Sequence, residues 1–324
     1  MGTLVDVAYA LKKRIYERRR QASPREDARR ILVRMDAGIG NAVEATPVVQ
    51  ALRAFWPAVR IAIVVPHGDL FDDWCVVDEV LHAGDAAGTA DEVFVCWSCE
   101  EEGGCGGEIH RAQGLFPLWQ LRPEREVNMG MVRRLGFAGE TPPLYVGLRE
   151  PREPLPPSPL RIALCAGGKS EHRWRHKRWP YYGELARLLL QWRPDAQLLL
   201  LDGDLDGIAG VDLRGKLTLR ESAWVLKHCQ LAIGNDSGPM HIADAVLTPH
   251  LTLFGPTCEV KNGPRNRGVA LRTDVPCSPC QYDIELLDSC PDPLCMKGLA
   301  ASVVFERAVA CLRNRPVGVA PPAT

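Results

Sequence analysis

Between Arg30 and Phe254, short runs of β-branched and leucine-rich positions alternate with stretches in which apolar residues recur every three or four places. Ile31-Leu32-Val33 has the first pattern and predicts a buried strand. The loop Asp36-Ala37-Gly38-Ile39-Gly40-Asn41 follows, then a helical stretch to Phe55 and, after Pro57, a second strand from Ile61 to Val65. Strand, Gly-rich turn, helix and strand open a right-handed βαβ unit, whose first turn lies at the carboxyl edge where ligands collect. Val93 to Val95 predicts a later strand, and Val127 to Leu135 a later helix.

The stretch Pro151-Arg152-Glu153-Pro154-Leu155-Pro156-Pro157-Ser158-Pro159 breaks the rhythm. Proline has no amide to donate and a fixed φ, so the stretch is excluded from helix interiors and central strands and reads as a linker, 151–159. Beyond it the alternation restarts: strand Ile162–Cys165, helix Tyr181–Trp192, strand Leu198–Leu201, helix Leu219–His228, strand Leu231–Ile233, a helix from Pro239 and strand Leu251–Phe254. The pattern predicts an α/β protein of two Rossmann-like domains facing across a cleft, residues 31–150 and 160–324, the second ending in a helix.

Residues 1–30 stand apart. Val5, Ala8, Leu11 and Ile15 fall at helical spacing beside Lys12, Lys13, Arg14, Arg18, Arg19 and Arg20. This is the pattern of a basic amphipathic helix, packed on the first domain or docked to an anionic membrane surface. The basic residues interrupt the short apolar stretch, so no secretory signal is expected, and no apolar run reaches the roughly 20 residues that cross a bilayer. The expected location is the cytoplasm, including the inner face of the membrane. With 46% hydrophobic and 24% charged residues and a formal net charge of −1, the composition is that of a globular protein without the basic surface of a nucleic-acid binder.

Candidate chemistry gathers where strands give way to helices. In Asn235-Asp236-Ser237-Gly238-Pro239-Met240-His241, free amides at a helix N-terminus, the Ser237 hydroxyl and the bare backbone of Gly238 suit a phosphate. Asp236 would repel one, and its alternatives are sugar hydroxyls or capping of the helix. His241, one turn in, either reaches the phosphates or is structural. Lys177-Arg178-Trp179-Pro180 occupies the equivalent position after the first strand of this domain, where a cation would neutralise a departing diphosphate; the alternative is a solvated surface pair.

Five elements occur in one order: Gly38 to Pro47, Lys177 to Pro180, Leu217-Thr218-Leu219-Arg220-Glu221, Asn235 to His241, and Phe254-Gly255-Pro256-Thr257. Together, over roughly residues 30 to 313, they resemble glycosyltransferase family 9, the lipopolysaccharide heptosyltransferases. The resemblance implies a GT-B fold and metal-independent, inverting transfer of a sugar, a heptose among the candidates. It implies an ADP-linked nucleotide-sugar as donor substrate, no required cofactor, and a lipid-linked or cell-envelope glycan as acceptor. Carried over by position, Lys177 faces the donor phosphates, Asp236 the sugar hydroxyls, and Ser237, Gly238 and His241 the diphosphate. Leu217 lines the base pocket and Asp204 meets the ribose, while Gly38, Gly40 and Asn41 form the acceptor loop of the first domain.

The chain departs from the family at Asn41, where the family commonly has the Asp that serves as its base. An amide accepts no proton at neutral pH, which leaves a substitute carboxylate, an orienting role for Asn41, or loss of transfer. Asp36, at the end of the first strand, is the first candidate base, its alternative being to tie down the loop through backbone amides. Glu44, one helical turn beyond Asn41, is the second.

Cys277-x2-Cys280 and Cys290-x4-Cys295 have spacings compatible with a structural zinc, with free thiols, or with disulfides; no catalytic role follows from any of them. Cys96, Cys99 and Cys105 form a looser group. Two rival functions stand beside the transferase: a nucleotide-sugar-binding protein that keeps the fold without catalysis, and a two-domain NAD enzyme. The second is disfavoured because Gly38-x-Gly40 is not followed by a third glycine at Rossmann spacing, and the second strand ends Val64-Val65-Pro66 without an acidic residue.

Overall fold

The structure, a computed structural model, describes residues 28–66, 68–82, 84–85, 87–99, 107–112, 121–169 and 171–313. The amphipathic segment expected at residues 1–30 lies almost wholly outside these, as does Cys105. The chain divides into two units, residues 1–67 with 74–143, and residues 68–73 with 144–324. The division at 143/144 comes ahead of the proline-rich stretch, whose residues 151–159 hold neither helix nor strand.

The first unit has a parallel sheet of β1 (Arg30–Arg34), β2 (Arg60–Val65), β3 (Glu79–His82), β4 (Glu92–Val95) and β5 (Glu108–Arg111), in the order β3-β2-β1-β4-β5. Strands covered on both faces are apolar throughout rather than alternating, and Ile31, Leu32, Val33, Ile61, Ile63 and Phe94 are fully buried. The chain runs outward from β1 through β2 and β3, then returns to β4 on the other side of β1. The crevice between β1 and β4 is therefore the switch point, where open α/β sheets bind ligands.

Helix α1 (Ile39–Phe55) starts inside the expected loop, so Gly40 and Asn41 belong to its first turn. It also tolerates Pro47 in its interior, for a local reason. Proline has no N–H to give the carbonyl four residues back, and that carbonyl, of Val43, instead accepts the Thr46 hydroxyl at 2.7 Å. Helix α2 (Glu124–Arg134) begins after Pro123 and packs against α1.

The second unit has six parallel strands: β6 (Leu160–Cys165), β7 (Ala196–Asp202), β8 (Val211–Asp212), β9 (Leu231–Asn235), β10 (His250–Phe254) and β11 (Gly268–Arg272), in the order β11-β10-β9-β6-β7-β8. Its switch point lies between β6 and β9. Around the sheet run a 3-10 helix, His172–Lys177, and helices α3 (Tyr182–Trp192), α4 (Leu219–Lys227), α5 (Gly238–Ala245), α6 (Glu259–Asn262), α7 (Ile284–Asp288), α8 (Leu294–Lys297) and α9 (Ala301–Arg313). Ile162, Leu164, Leu198, Leu200, Ile233 and Leu253 from the strands pack with Leu185 and Leu189 of α3 and with Val304 and Ala308 of α9. Each such aliphatic side chain contributes about 1.5–3 kcal/mol by leaving water. Helix α4 opens on a capping box: Thr218 Oγ1 accepts from Glu221 N–H at 3.3 Å, and Glu221 Oε2 accepts from Thr218 N–H at 2.8 Å. Among the described residues no helix is long and apolar enough to cross a membrane.

Candidate functional site

Asn235, the last residue of β9, is fully buried and organises the switch point of the second unit. Its Nδ2 donates to the carbonyls of Ala166 at 2.7 Å and Gly167 at 3.1 Å, while Oδ1 accepts from Trp179 N–H at 3.2 Å and the Tyr182 hydroxyl at 3.0 Å. One side chain thus ties the end of β9 to the loop leaving β6 and to the entrance of α3. Trp179 is sunk in the core, and its indole N–H donates to Leu299 O at 2.8 Å. With the chain pinned two residues downstream, Lys177 is held at the carboxyl edge.

There Lys177 Nζ lies 3.1 Å from Asp236 Oδ2 and 5.4 Å from the centre of the Trp174 ring. His241 Nε2, in the first turn of α5, is 3.6 Å from Asp236 Oδ1, and Asn262 Nδ2 donates to Oδ2 at 3.2 Å. Burial by itself would raise the Asp236 carboxyl, but the Lys177 ammonium and then the His241 ring outweigh it and hold it well below the usual carboxylate range. Asp236 is an anion that gathers the Lys177 ammonium and the His241 ring. It does not cap α5, because Ser237 occupies that position. Ser237 makes no side-chain capping bond, and its hydroxyl is buried without a hydrogen-bond partner. Of the first amides of α5, Pro239 has none and Met240 N–H donates to Ser237 O at 3.1 Å, so the buried Ser237 hydroxyl and the Gly238 amide are the neutral donors at this helix start that suit a ligand oxygen.

In the first unit, Asp36 follows β1 and its Oδ2 lies 2.5 Å from Arg34 Nη2. Oδ2 thus faces a guanidinium, and Oδ1 is buried without a hydrogen-bond partner. Glu44 is buried, and Arg125 holds its two oxygens from Nε at 3.0 Å and Nη2 at 3.2 Å. Glu44, the second candidate base, is thus engaged by a guanidinium on both oxygens. Asn41 Nδ2 donates to Glu124 Oε1 at 2.7 Å. At the neighbouring end of β4, Trp97 N–H donates to Asn128 Oδ1 at 2.8 Å, and Cys96 and Cys99 are buried. Burial pushes the Cys96 thiol up, helped by Cys99 and then by the charges of Glu124 and Asp36; burial and Asp36 push Cys99 up to about 12. These side chains share the crevice between β1 and β4.

Comparison with known proteins adds the family. The profile of glycosyltransferase family 9 (heptosyltransferase) matches residues 162–289, the stretch that carries Lys177, Asp236 and His241. The match lies wholly within the second unit, which in that stretch is similar to the family. A lipooligosaccharide heptosyltransferase 2 of Campylobacter jejuni is 33% identical over 107 residues, 32% of either chain, so the match spans about a third of the curated relative's length. A family 9 glycosyl transferase from Veillonella parvula superposes with a TM-score of 0.66 at 18% identity, covering 89% of this chain and 98% of that one. An E. coli ADP-heptose lipopolysaccharide heptosyltransferase II gives 0.62 at 17%, covering 88% and 98%. At such identities the likeness is one of fold, and two parallel-sheet α/β units are the GT-B class.

In the second unit, Lys177, Asp236 and His241 form one cluster, with Ser237 and Gly238 at the adjoining start of α5. Leu217 is half-buried just before α4, and Asp204 is exposed on the turn after β7. The acidic residue that turns back to the edge is Asp202, which ends β7 and accepts Gly167 N–H at 3.1 Å; burial raises its carboxyl, against that bond. Sequence reasoning missed it, although a carboxylate closing the second strand of a Rossmann unit is a known signal. Asn262 was also missed, and Asn235, though it opens the Asn235–His241 segment, was given no role of its own.

The four domain cysteines are free thiols: Cys277 is exposed, Cys280 and Cys290 are half-buried and Cys295 is buried. Burial pushes Cys295 up to about 11, with Cys280, Cys277 and Cys290 adding to it. The four are neighbours, but among the described residues no three of Cys, His, Asp or Glu stand as a metal-holding group, so the zinc alternative finds no assembled donor set.

Proposed function

We propose that the chain is an inverting glycosyltransferase that moves a heptose from ADP-heptose to a lipid-linked or cell-envelope glycan, without a catalytic metal. The observation that carries this is the group of Lys177, Asp236 and His241 beside the buried Ser237 hydroxyl at the start of α5. As the sugar–oxygen bond breaks, negative charge grows on the diphosphate. Lys177, His241 in its protonated form, the Gly238 amide and the Ser237 hydroxyl are the donors that would receive it. Asp236 keeps both cationic side chains charged and aimed. The names of the relatives support a heptose, and the ADP-heptose in one of them supports the nucleotide. The basic residues Lys12 to Arg20 suit contact with the inner face of a membrane.

ADP binding tests the reading. At 100 times its dissociation constant, ADP adds about 2.7 kcal/mol to stability, a readily measured thermal shift. If Lys177→Ala with His241→Ala kept the full shift, the diphosphate site would lie elsewhere. The amide at Asn41 favours a second reading, a nucleotide-sugar-binding protein without catalysis. ADP release from ADP-heptose, beyond binding, separates the two.

A further inference from the structure

Resting on the transferase reading, we propose that one water molecule, held in a cleft beside α5, joins His250 to His241, and that His250 is thereby a positioning residue for the imidazole that meets the donor diphosphate.

His250 opens β10 and is 1% exposed. Its Nδ1 lies 2.8 Å from the carbonyl oxygen of Thr248. A carbonyl only accepts, so the proton of the neutral ring is on Nδ1 and Nε2 carries the lone pair. That nitrogen is buried without a hydrogen-bond partner. The register partner of His250 on the next strand is Gly268, where a Cβ would collide with Nε2, so β11 sets bare backbone against the nitrogen and no competing side chain. Burial, with a smaller push from the His241 charge, lowers the His250 ring against the pull of the Thr248 carbonyl and Asp244, which keeps it neutral, and an acceptor, at neutral pH.

The same ring borders a cleft that it shares with His241, Asp244, Thr252 and Asn262. Within it about 10 Å³ is open to the centre of a water molecule, which is the room of one water. The polar side chains on its walls supply the roughly two to four partners that a buried water takes. A water there donates one hydrogen to His250 Nε2 and turns its lone pairs to the His241 ring. An acceptor facing that ring favours its protonated form, which is the form that receives charge from a departing diphosphate. The contacts then run from Asp236 through His241 and the water to His250, and end on the Thr248 carbonyl.

The functions of the two nitrogens of His250 can be removed separately. His250→Asn keeps a donor near Thr248 O and loses the acceptor at Nε2, whereas His250→Gln carries an amide oxygen to the Nε2 position and loses the bond to Thr248. Both are assayed by ADP calorimetry and by ADP release from ADP-heptose with heptose-free lipopolysaccharide. His250→Asn is expected to bind ADP at least about fivefold more weakly, the worth of one neutral hydrogen bond, and to lose kcat with the KM for acceptor unchanged; His250→Gln rescues both. Placed on His241→Ala, His250→Asn should change ADP affinity by less than about twofold, because its route to the diphosphate is gone. A crystal structure of the unaltered protein should show an ordered water about 2.7–3.2 Å from Nε2 and bonded to the His241 ring, and it decides the matter if His250→Asn folds poorly. A role confined to holding Thr248 predicts the reverse order, with His250→Gln the damaging change. That order, an undiminished effect on His241→Ala, or a cleft without the water overturns the proposal while ADP release by the unaltered protein leaves the transferase standing. No ADP binding or release by the unaltered protein overturns the transferase reading and the positioning role with it.

Discussion

Replacing Lys177 by Met keeps most of the side chain's apolar stem against Trp174 and deletes only the charge 3.1 Å from Asp236. At an effective dielectric of about 20, two unit charges at this separation attract by about 5 kcal/mol before desolvation is counted. The Asp236 side chain is 4% exposed and cannot recover that interaction from water, and removing one partner of a buried pair typically costs about 3–5 kcal/mol. His241, 3.6 Å from the other oxygen, takes up part of the loss, which places the expected cost at about 3 kcal/mol. For a unit of this size that is a fall in Tm of about 6–12 °C. Adding Asp236→Asn removes the stranded charge and should return most of the stability. Neither variant should show stabilisation by ADP, because the cation is missing from both. Differential scanning calorimetry with and without ADP reads all four combinations. A Lys177→Met protein as stable as the double variant would refute the claim that Asp236 is held as an anion by Lys177.

Other outcomes follow from single groups. Ser237→Ala removes a buried hydroxyl that no protein atom satisfies, so Tm should hold or rise slightly, while ADP affinity measured by calorimetry falls at least about tenfold. Burial lowers His176 and His250, the latter against its bond to Thr248 O, so the unfolded chain binds protons that the folded one refuses. Stability therefore holds above the ordinary histidine value of about 6.5 and falls as pH drops below it, by up to about 1.4 kcal/mol per pH unit for each residue. His250→Gln should flatten a plot of Tm against pH in that range. A thiol reagent at mildly alkaline pH should modify the exposed Cys75 and Cys277 and spare the buried Cys96 and Cys165; protection of Cys277 would instead point to a metal or a disulfide.

The central strands and the helices between them were readable because a doubly covered strand needs a continuous apolar run and its crossover helix a 3.6-residue period. The outer strands did not carry that signature. Glu79–His82 and Glu108–Arg111 begin and end with polar residues, and β8 is two residues long. Lys177 and the Asp236–His241 segment were legible because strand ends and helix starts announce themselves locally. That Asp236 binds Lys177 was not, since the two lie on different loops, and the charge next to a phosphate-binding start looked like a sugar contact or a cap. Asn235 reads as a polar strand end until four partners surround it. The bond between Asn41 and Glu124 was not legible either, for it joins positions that no periodicity connects.

The Thr46–Pro47 pair in α1 gives substitution a preferred order. With Pro47 in place, Thr46→Val strands the buried carbonyl of Val43 at about 1–3 kcal/mol. If Pro47 is first replaced by alanine, an ordinary backbone amide is restored to that carbonyl, and the hydroxyl at 46 becomes dispensable. A mutational scan of this helix should therefore show one-sided epistasis: position 46 stays intolerant in the parent background and opens once 47 has changed. Descendants of this chain could shed both residues by one route, and the reverse route would be closed to them.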